Sequence, residues 1–261
     1  MNRIDTARKG FLRNDFQKAK QAHTKDAIRK GITHHEPHIT TFTLPEVILG
    51  GQDGLVNVLG VILGVAAATA DSQIVIVAGL AATFAESISM AAVEYTSKLA
   101  EADFHQSEYE REAWEIDHFP EGEREEVRVL YKNYGFEGKI LESIVEKITS
   151  DKKLWVRVMM EQELKLEPVN RKDALPAAII VGVSALVGSF IPLTAFFFLP
   201  IQIAIGIALV VSATTLFTVG YYKAQKTLGR KFVRSGIEMM VIGMVSAFVG
   251  YLIGSLFKVT V

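Results

Sequence analysis

QIVIVAGLAATFAESISMAAV, residues Gln73 to Val93, is predominantly apolar and carries a single ionisable side chain, Glu86. At 1.5 Å rise per residue, about 20 such residues cross the roughly 30 Å hydrocarbon layer of a bilayer. A carboxylate more than a turn inside such a span costs roughly 2.5 to 3.5 kcal/mol even on the lenient insertion scale, so it marks a polar pathway by default. The stretch therefore reads as a transmembrane helix that carries a functional acid.

Working outward, four further stretches lack charge almost as completely: Thr43 to Ala70, Ala174 to Leu199, Pro200 to Gly220 and Gly236 to Phe257. The 261 residues average 49% hydrophobic and 22% charged with a net charge of -1, but the charges crowd before Thr43 and between Lys98 and Asp173. The expectation is an all-α membrane protein of five transmembrane helices with one soluble helical insert. Its segments are an N-terminal stretch 1–43, helices one and two in 44–97, the insert 98–173, and helices three to five in 174–261. The near-neutral balance gives no basic face for nucleic acid. The absence of cysteine removes disulfides, zinc-thiolate and iron-sulfur sites and thiol nucleophiles. Any metal chemistry must use oxygen, nitrogen or thioether.

Lysine and arginine orient the spans. The turn after the first span carries only Asp71 and the turn from Pro192 to Pro200 carries no charge, whereas the N-terminal stretch, the insert and the loop with Lys223, Lys226, Arg230, Lys231 and Arg234 are basic. The positive-inside rule places all three in the cytoplasm and Val261 outside. No apolar core lies near Met1, so no secretory signal is expected. The basic first 30 residues, with Ile4, Phe11, Phe16 and Ile28, suit either a helix on the membrane surface or a solvated tail. Gly60 with Gly64, and Gly250 with Gly254, stand one turn apart and favour close helix packing, including dimerisation.

Within the insert, the second-span helix is expected to run to about Phe119 and stop at Pro120 and Gly122. Further helices are expected over Glu123 to Tyr134, Glu137 to Thr149 and Lys152 to Leu164. At about 100° per residue, Glu101, His105, Glu108, Glu112 and Glu115 lie within about 40° of one line, and Glu94, Met90 and Glu86 continue it into the membrane. A solvated acidic face is the plain alternative. Glu108 and Glu112 repel at i and i+4, however, and only Arg111 at the stripe's edge or a bound cation relieves them. The Glu112-x-x-Glu115 spacing recurs as Glu123-x-x-Glu126, where first-turn acids also serve the helix dipole.

Asp53 in Gly50-Gly51-Gln52-Asp53-Gly54-Leu55 and Glu238 at the start of the fifth span are further intramembrane acids, and Glu46 sits two turns before Asp53. A cap or interface role is the alternative for Asp53 and Glu238. Met90 lies one turn from both Glu86 and Glu94, and a thioether between carboxylates favours a transition metal over magnesium. Met159, Met160 and Glu163 repeat that mixture, although adjacent methionines are more often core. His34, His35 and His38 around Glu36 read equally well as metal ligands or as a polar linker.

Five motifs together resemble the vacuolar iron transporter family, with its bacterial and nodulin-like relatives, over about Leu44 to Phe257. They are Gly51-Gln52-Asp53-Gly54-Leu55, the run Ala85 to Tyr95, the two Glu-x-x-Glu pairs, Met159-Met160-Glu161-Gln162-Glu163-Leu164, and Phe190-Ile191-Pro192-Leu193. The resemblance implies a homodimer with a translocation path at the dimer interface and export of Fe2+ from the cytosol in exchange for protons. It assigns Asp53 and Met90 to the membrane site, and Glu112, Glu115, Glu123, Glu126, Met159, Met160 and Glu163 to a metal-collecting domain. An acid found in plant members about two turns before Met90 is Ala82 here, and Glu86 is the candidate substitute.

The expected protein is thus a secondary transporter rather than an enzyme, with lipid, metal ions and protons as partners and no organic cofactor. Its pathway residues are Asp53, Glu86, Met90, Glu94, Glu46 and Glu238, and Glu108 joins the insert's metal ligands. The expected site is the cell membrane, or the vacuolar membrane in a eukaryote. Two rivals remain: a manganese or broad divalent exporter, and a membrane-tethered ferroxidase or iron store. The latter needs two Glu-x-x-His elements, and the insert has one, Glu115 to His118.

Overall fold

The computed structural model describes residues 6–7, 10–11, 13–33, 39–227 and 231–257. Every regular element among them is helical: α1 Phe16–Ala22, α2 Lys25–Thr33, α3 Ile39–Thr69, α4 Ser72–His118, α5 Pro120–Asn133, α6 Gly138–Thr149, α7 Lys152–Val158, α8 Ala174–Phe198, α9 Ile201–Thr227 and α10 Phe232–Leu256. Five of these, α3, α4, α8, α9 and α10, are long and apolar enough to cross a membrane. His34, His35, Glu36 and His38 lie outside the described residues.

The chain forms two units, residues 1–90 with 180–261, and residues 91–179. In the first, α3 and α4 are joined by a two-residue turn. Ala70 takes a φ of 52°, and Asp71 then accepts hydrogen bonds from the backbone N–H groups of Gln73 at 2.7 Å and Ile74 at 3.2 Å. The turn's only charge is spent on capping the helix it opens.

Glycine decides how the helices meet. Gly60 and Gly64 of α3 lie directly against Gly250 and Gly254 of α10, so a Cβ on Gly254 would fall on the Gly64 carbonyl oxygen and one on Gly250 on that of Gly60. Such backbone-to-backbone contact is how helices associate where lipid offers no hydrophobic drive. Both glycine pairs are therefore used within a single chain. On another side of α3, Gly51 meets Gly188 of α8 in the same manner. Val58, Leu59, Ile62 and Leu63 pack with Leu193, Phe196, Ala204 and Ala247 to fill the interior. Val77, Ile88, Phe198, Val210 and Leu256 are exposed, as apolar side chains facing lipid should be.

The second unit has its own core, in which Ile116, Val127, Leu141, Val145, Ile148, Trp155, Val156, Met159 and Met160 are buried together. Helix α5 starts at Pro120, three residues before the expected Glu123, because a proline in the first turn gives up an N–H that has no partner there anyway. It ends at Asn133 with Tyr134 as its C-cap, followed by Gly135 at a φ of 89°. Arg128 then ties α5 to α6, its Nε and Nη2 donating to the Glu142 carboxylate at 2.9 and 3.1 Å. Helix α7 passes into a π-turn over Met159–Glu163, closed by the Leu164 N–H donating to the Met159 carbonyl at 3.0 Å.

Candidate functional site

Two groups of acids stand out, one in each unit. In the first unit, Asp53 and Asn57 sit one turn apart on α3 and hence on one face. Asn57 Nδ2 donates to Glu86 Oε1 of α4 at 3.0 Å, and Asp53 is a neighbour of both. All three belong to helices whose surroundings are otherwise apolar. Asp53, Glu86 and Met90 are each partly buried. Glu46 is also partly buried, and its Oε2 is buried without a partner. Glu238 stands apart from them, exposed and accepting from Arg234 Nε one turn earlier at 2.8 Å. Asn57 was not singled out from sequence, yet it falls four residues after Asp53, the spacing that shares a helix face.

In the second unit, Glu112, Glu115 and Glu123 each offer a carboxylate oxygen within 4.8 Å of the others. Two come from the end of α4 and one from the start of α5, so the break at Phe119 and Pro120 folds the two Glu-x-x-Glu pairs toward each other. Glu112 is 2% exposed and Glu123 6%, and one oxygen of each is buried with no partner. A solvated acidic face, or an acid that merely serves the helix dipole, would not be buried in this way. Clustered carboxylates with unpartnered oxygens have a donor chemistry that suits a hard cation.

Burial pushes the Glu123 carboxyl up to about 7, and Glu126, Glu112, Glu115 and Glu163 add to the rise. Burial likewise raises Glu163, helped by Glu126 and Glu115 and opposed by Arg111. Glu126 and Glu163 are themselves exposed at the residue level, so they border the cluster while Glu112 and Glu123 form its buried base. Met159 and Met160 are 0% and 3% exposed within the core, and the π-turn carries the chain from them to Glu163. π-turns of this kind are frequent at functional sites.

Arg111 reaches into this cluster. Its Nη2 donates to Glu112 Oε1 at 2.6 Å and to Glu108 Oε2 at 2.9 Å, while Nη1 pairs with Glu115. On the rest of the stripe Glu101 pairs with Lys98 at 3.2 Å, and off the stripe Asp103 pairs with Arg171 at 2.6 Å. Glu94 is partly buried in this unit. His118 is engaged elsewhere, its Nδ1 2.8 Å from the Trp114 carbonyl and its ring stacked on the Trp114 indole.

Comparison with known proteins shows the family. The VIT family model matches residues 44–255. The chain is 31% identical to a vacuolar iron transporter of Plasmodium falciparum (isolate 3D7), over 97% of this chain and 95% of that protein. It is 34% identical to one of Toxoplasma gondii (strain ATCC 50861 / VEG), over 99% and 89%, and 33% identical to vacuolar iron transporter 1 of Arabidopsis thaliana, over 82% and 86%. With five apolar helices and an acidic cluster in hand, the chain is a multi-pass membrane protein belonging to the VIT family, that of the vacuolar iron transporters.

Proposed function

We propose that the protein exports Fe2+ from the cytosol in exchange for protons, working as a homodimer with its N-terminal stretch and insert in the cytoplasm and Val261 outside. The observation that carries this reading is the Glu112, Glu115 and Glu123 triad, whose carboxylate oxygens gather within 4.8 Å with Glu112 and Glu123 buried, in a chain related to iron transporters. The triad, bordered by Glu108, Glu126 and Glu163 and backed by the thioethers of Met159 and Met160, collects the ion. Asp53 and Glu86, with Met90, Glu94 and Glu46, carry it through the membrane, and Glu238 guards the cytoplasmic start of α10.

Two neighbouring carboxyl groups in a low-dielectric region cannot both stay ionised alone, so they hold either a proton or a cation. That alternation supplies the exchange: protonation weakens the ligands' grip on the metal because only ionised carboxylates bind it. Glu86, meeting Asp53 across the helix interface, is suited to the role of the family acid absent at Ala82.

Proteoliposomes test this directly. A proton gradient should drive Fe2+ uptake into the lumen, and Asp53→Ala should abolish it; equal uptake by that variant removes Asp53 from the path. Competition by Mn2+ in the same assay separates an iron exporter from a broad divalent one. Absence of any divalent transport by the wild-type protein overturns the reading.

A further inference from the structure

We infer that Arg111 is a built-in counter-cation of the acidic cluster, one that the metal must displace and that thereby sets a loose affinity. The inference rests on the metal-collecting reading of the insert. Its ground is the competition for atoms. Arg111 engages Glu112 Oε1, Glu108 Oε2 and the Glu115 carboxylate together, while the second oxygen of Glu112 stays buried and unpartnered. Two of those three acids belong to the triad, so the guanidinium stands where part of a divalent ion's shell would form.

Geometry allows the exchange. The Glu112 side chain is 3% exposed and is held in place, whereas that of Arg111 is 41% exposed on a flexible stem and is free to swing into solvent. Without a cation, the crowded carboxylates of Glu108, Glu112, Glu115, Glu123, Glu126 and Glu163 repel one another. The planar fork of an arginine bridges several carboxylates at once, which a lysine cannot match. Arg111 thus keeps the empty site assembled and yields when the ion arrives. A transporter needs such a balance, since an ion bound too tightly is never passed on.

The test is Mn2+ binding to the full-length protein in detergent, read from the free-ion paramagnetic resonance signal. Arg111→Gln should bind Mn2+ about tenfold tighter than wild type, the effect of removing roughly 1.4 kcal/mol of competition. Arg111→Lys, which keeps the charge but loses the fork, should fall between them. Arg128→Gln, which removes an equal charge from the α5–α6 pairing, should leave the affinity unchanged. Equal or weaker binding by both Arg111 variants overturns the inference, as does an equal gain from Arg128→Gln. Failure of the wild type to bind Mn2+, or binding indifferent to Glu112→Gln, overturns the metal-collecting reading itself and this inference with it.

Discussion

Asn57 holds Glu86 by a 3.0 Å hydrogen bond from its Nδ2, joining the first two membrane helices beside Asp53. An amide supports a carboxylate without adding charge, so it fixes the direction of Glu86 whether a proton or a cation neutralises the pair. Neither the amide nor the contact is visible in hydropathy, because both depend on how two helices cross.

Replacing that amide tests its role. Partners that orient a metal ligand typically contribute 10- to 100-fold to affinity or activity. Asn57→Leu should therefore lower Fe2+ transport in proteoliposomes at least about tenfold with little change in the amount of folded protein. Wild-type rates from this variant would show that Glu86 needs no support.

Glu123 should titrate near neutrality. Glu123, an acid raised from 4.5 to about 7 in the folded insert, retains its proton where the unfolded chain has already lost it. Stability of the metal-free protein should thus fall as pH rises from about 4.5 to about 7. Metal affinity should move the opposite way, increasing over the same window with proton release, because binding requires ionised carboxylates. Calorimetric titration with Mn2+ in buffers of different ionisation heat measures the released protons. Glu123→Gln should flatten the pH dependence, and an unaltered profile would place the titration elsewhere.

Topology admits a clean chemical check because the natural chain has no cysteine. A single cysteine at Lys152 should react with a membrane-impermeant maleimide only from the cytoplasmic face, and one at Gln73 only from the opposite face. Labelling of both from one side contradicts the orientation read from the basic loops.

The helix contact at Gly64 and Gly254 should be intolerant of any side chain. Gly254→Val must push α10 away from α3, and overpacking of this kind costs about 3 kcal/mol. The apparent Tm in detergent should fall by several degrees, whereas Gly206→Ala, with open space around it, should have little effect.

Much of this architecture was readable from residue order alone. The five spans follow from charge-free runs, and the acidic face from spacing near 3.6 residues per turn. The break at Pro120 follows from the proline, but the approach of Glu123 to Glu112 and Glu115 across it is seen only in the structure. What spacing could not show was burial: Glu112 and Glu123 lie at the base of the cluster while Glu126 and Glu163 are exposed, a distinction made by the core around Val127 and Trp155. Arg111 looked like an edge residue that could soothe one repulsion, yet its fork spans three acids. The π-turn after Val158 was hidden as well, since one extra residue in a helical turn leaves the apolar pattern almost intact.

The interlocked glycines have a mechanical corollary. Two helices touching backbone to backbone have no rotamers to rearrange, so α3 and α10 travel as one solid wedge carrying Asp53 and Asn57 on its flank. Under the proposed transport, α4 with its Glu86 is then expected to be what shifts against that pair, parting the acid from its amide.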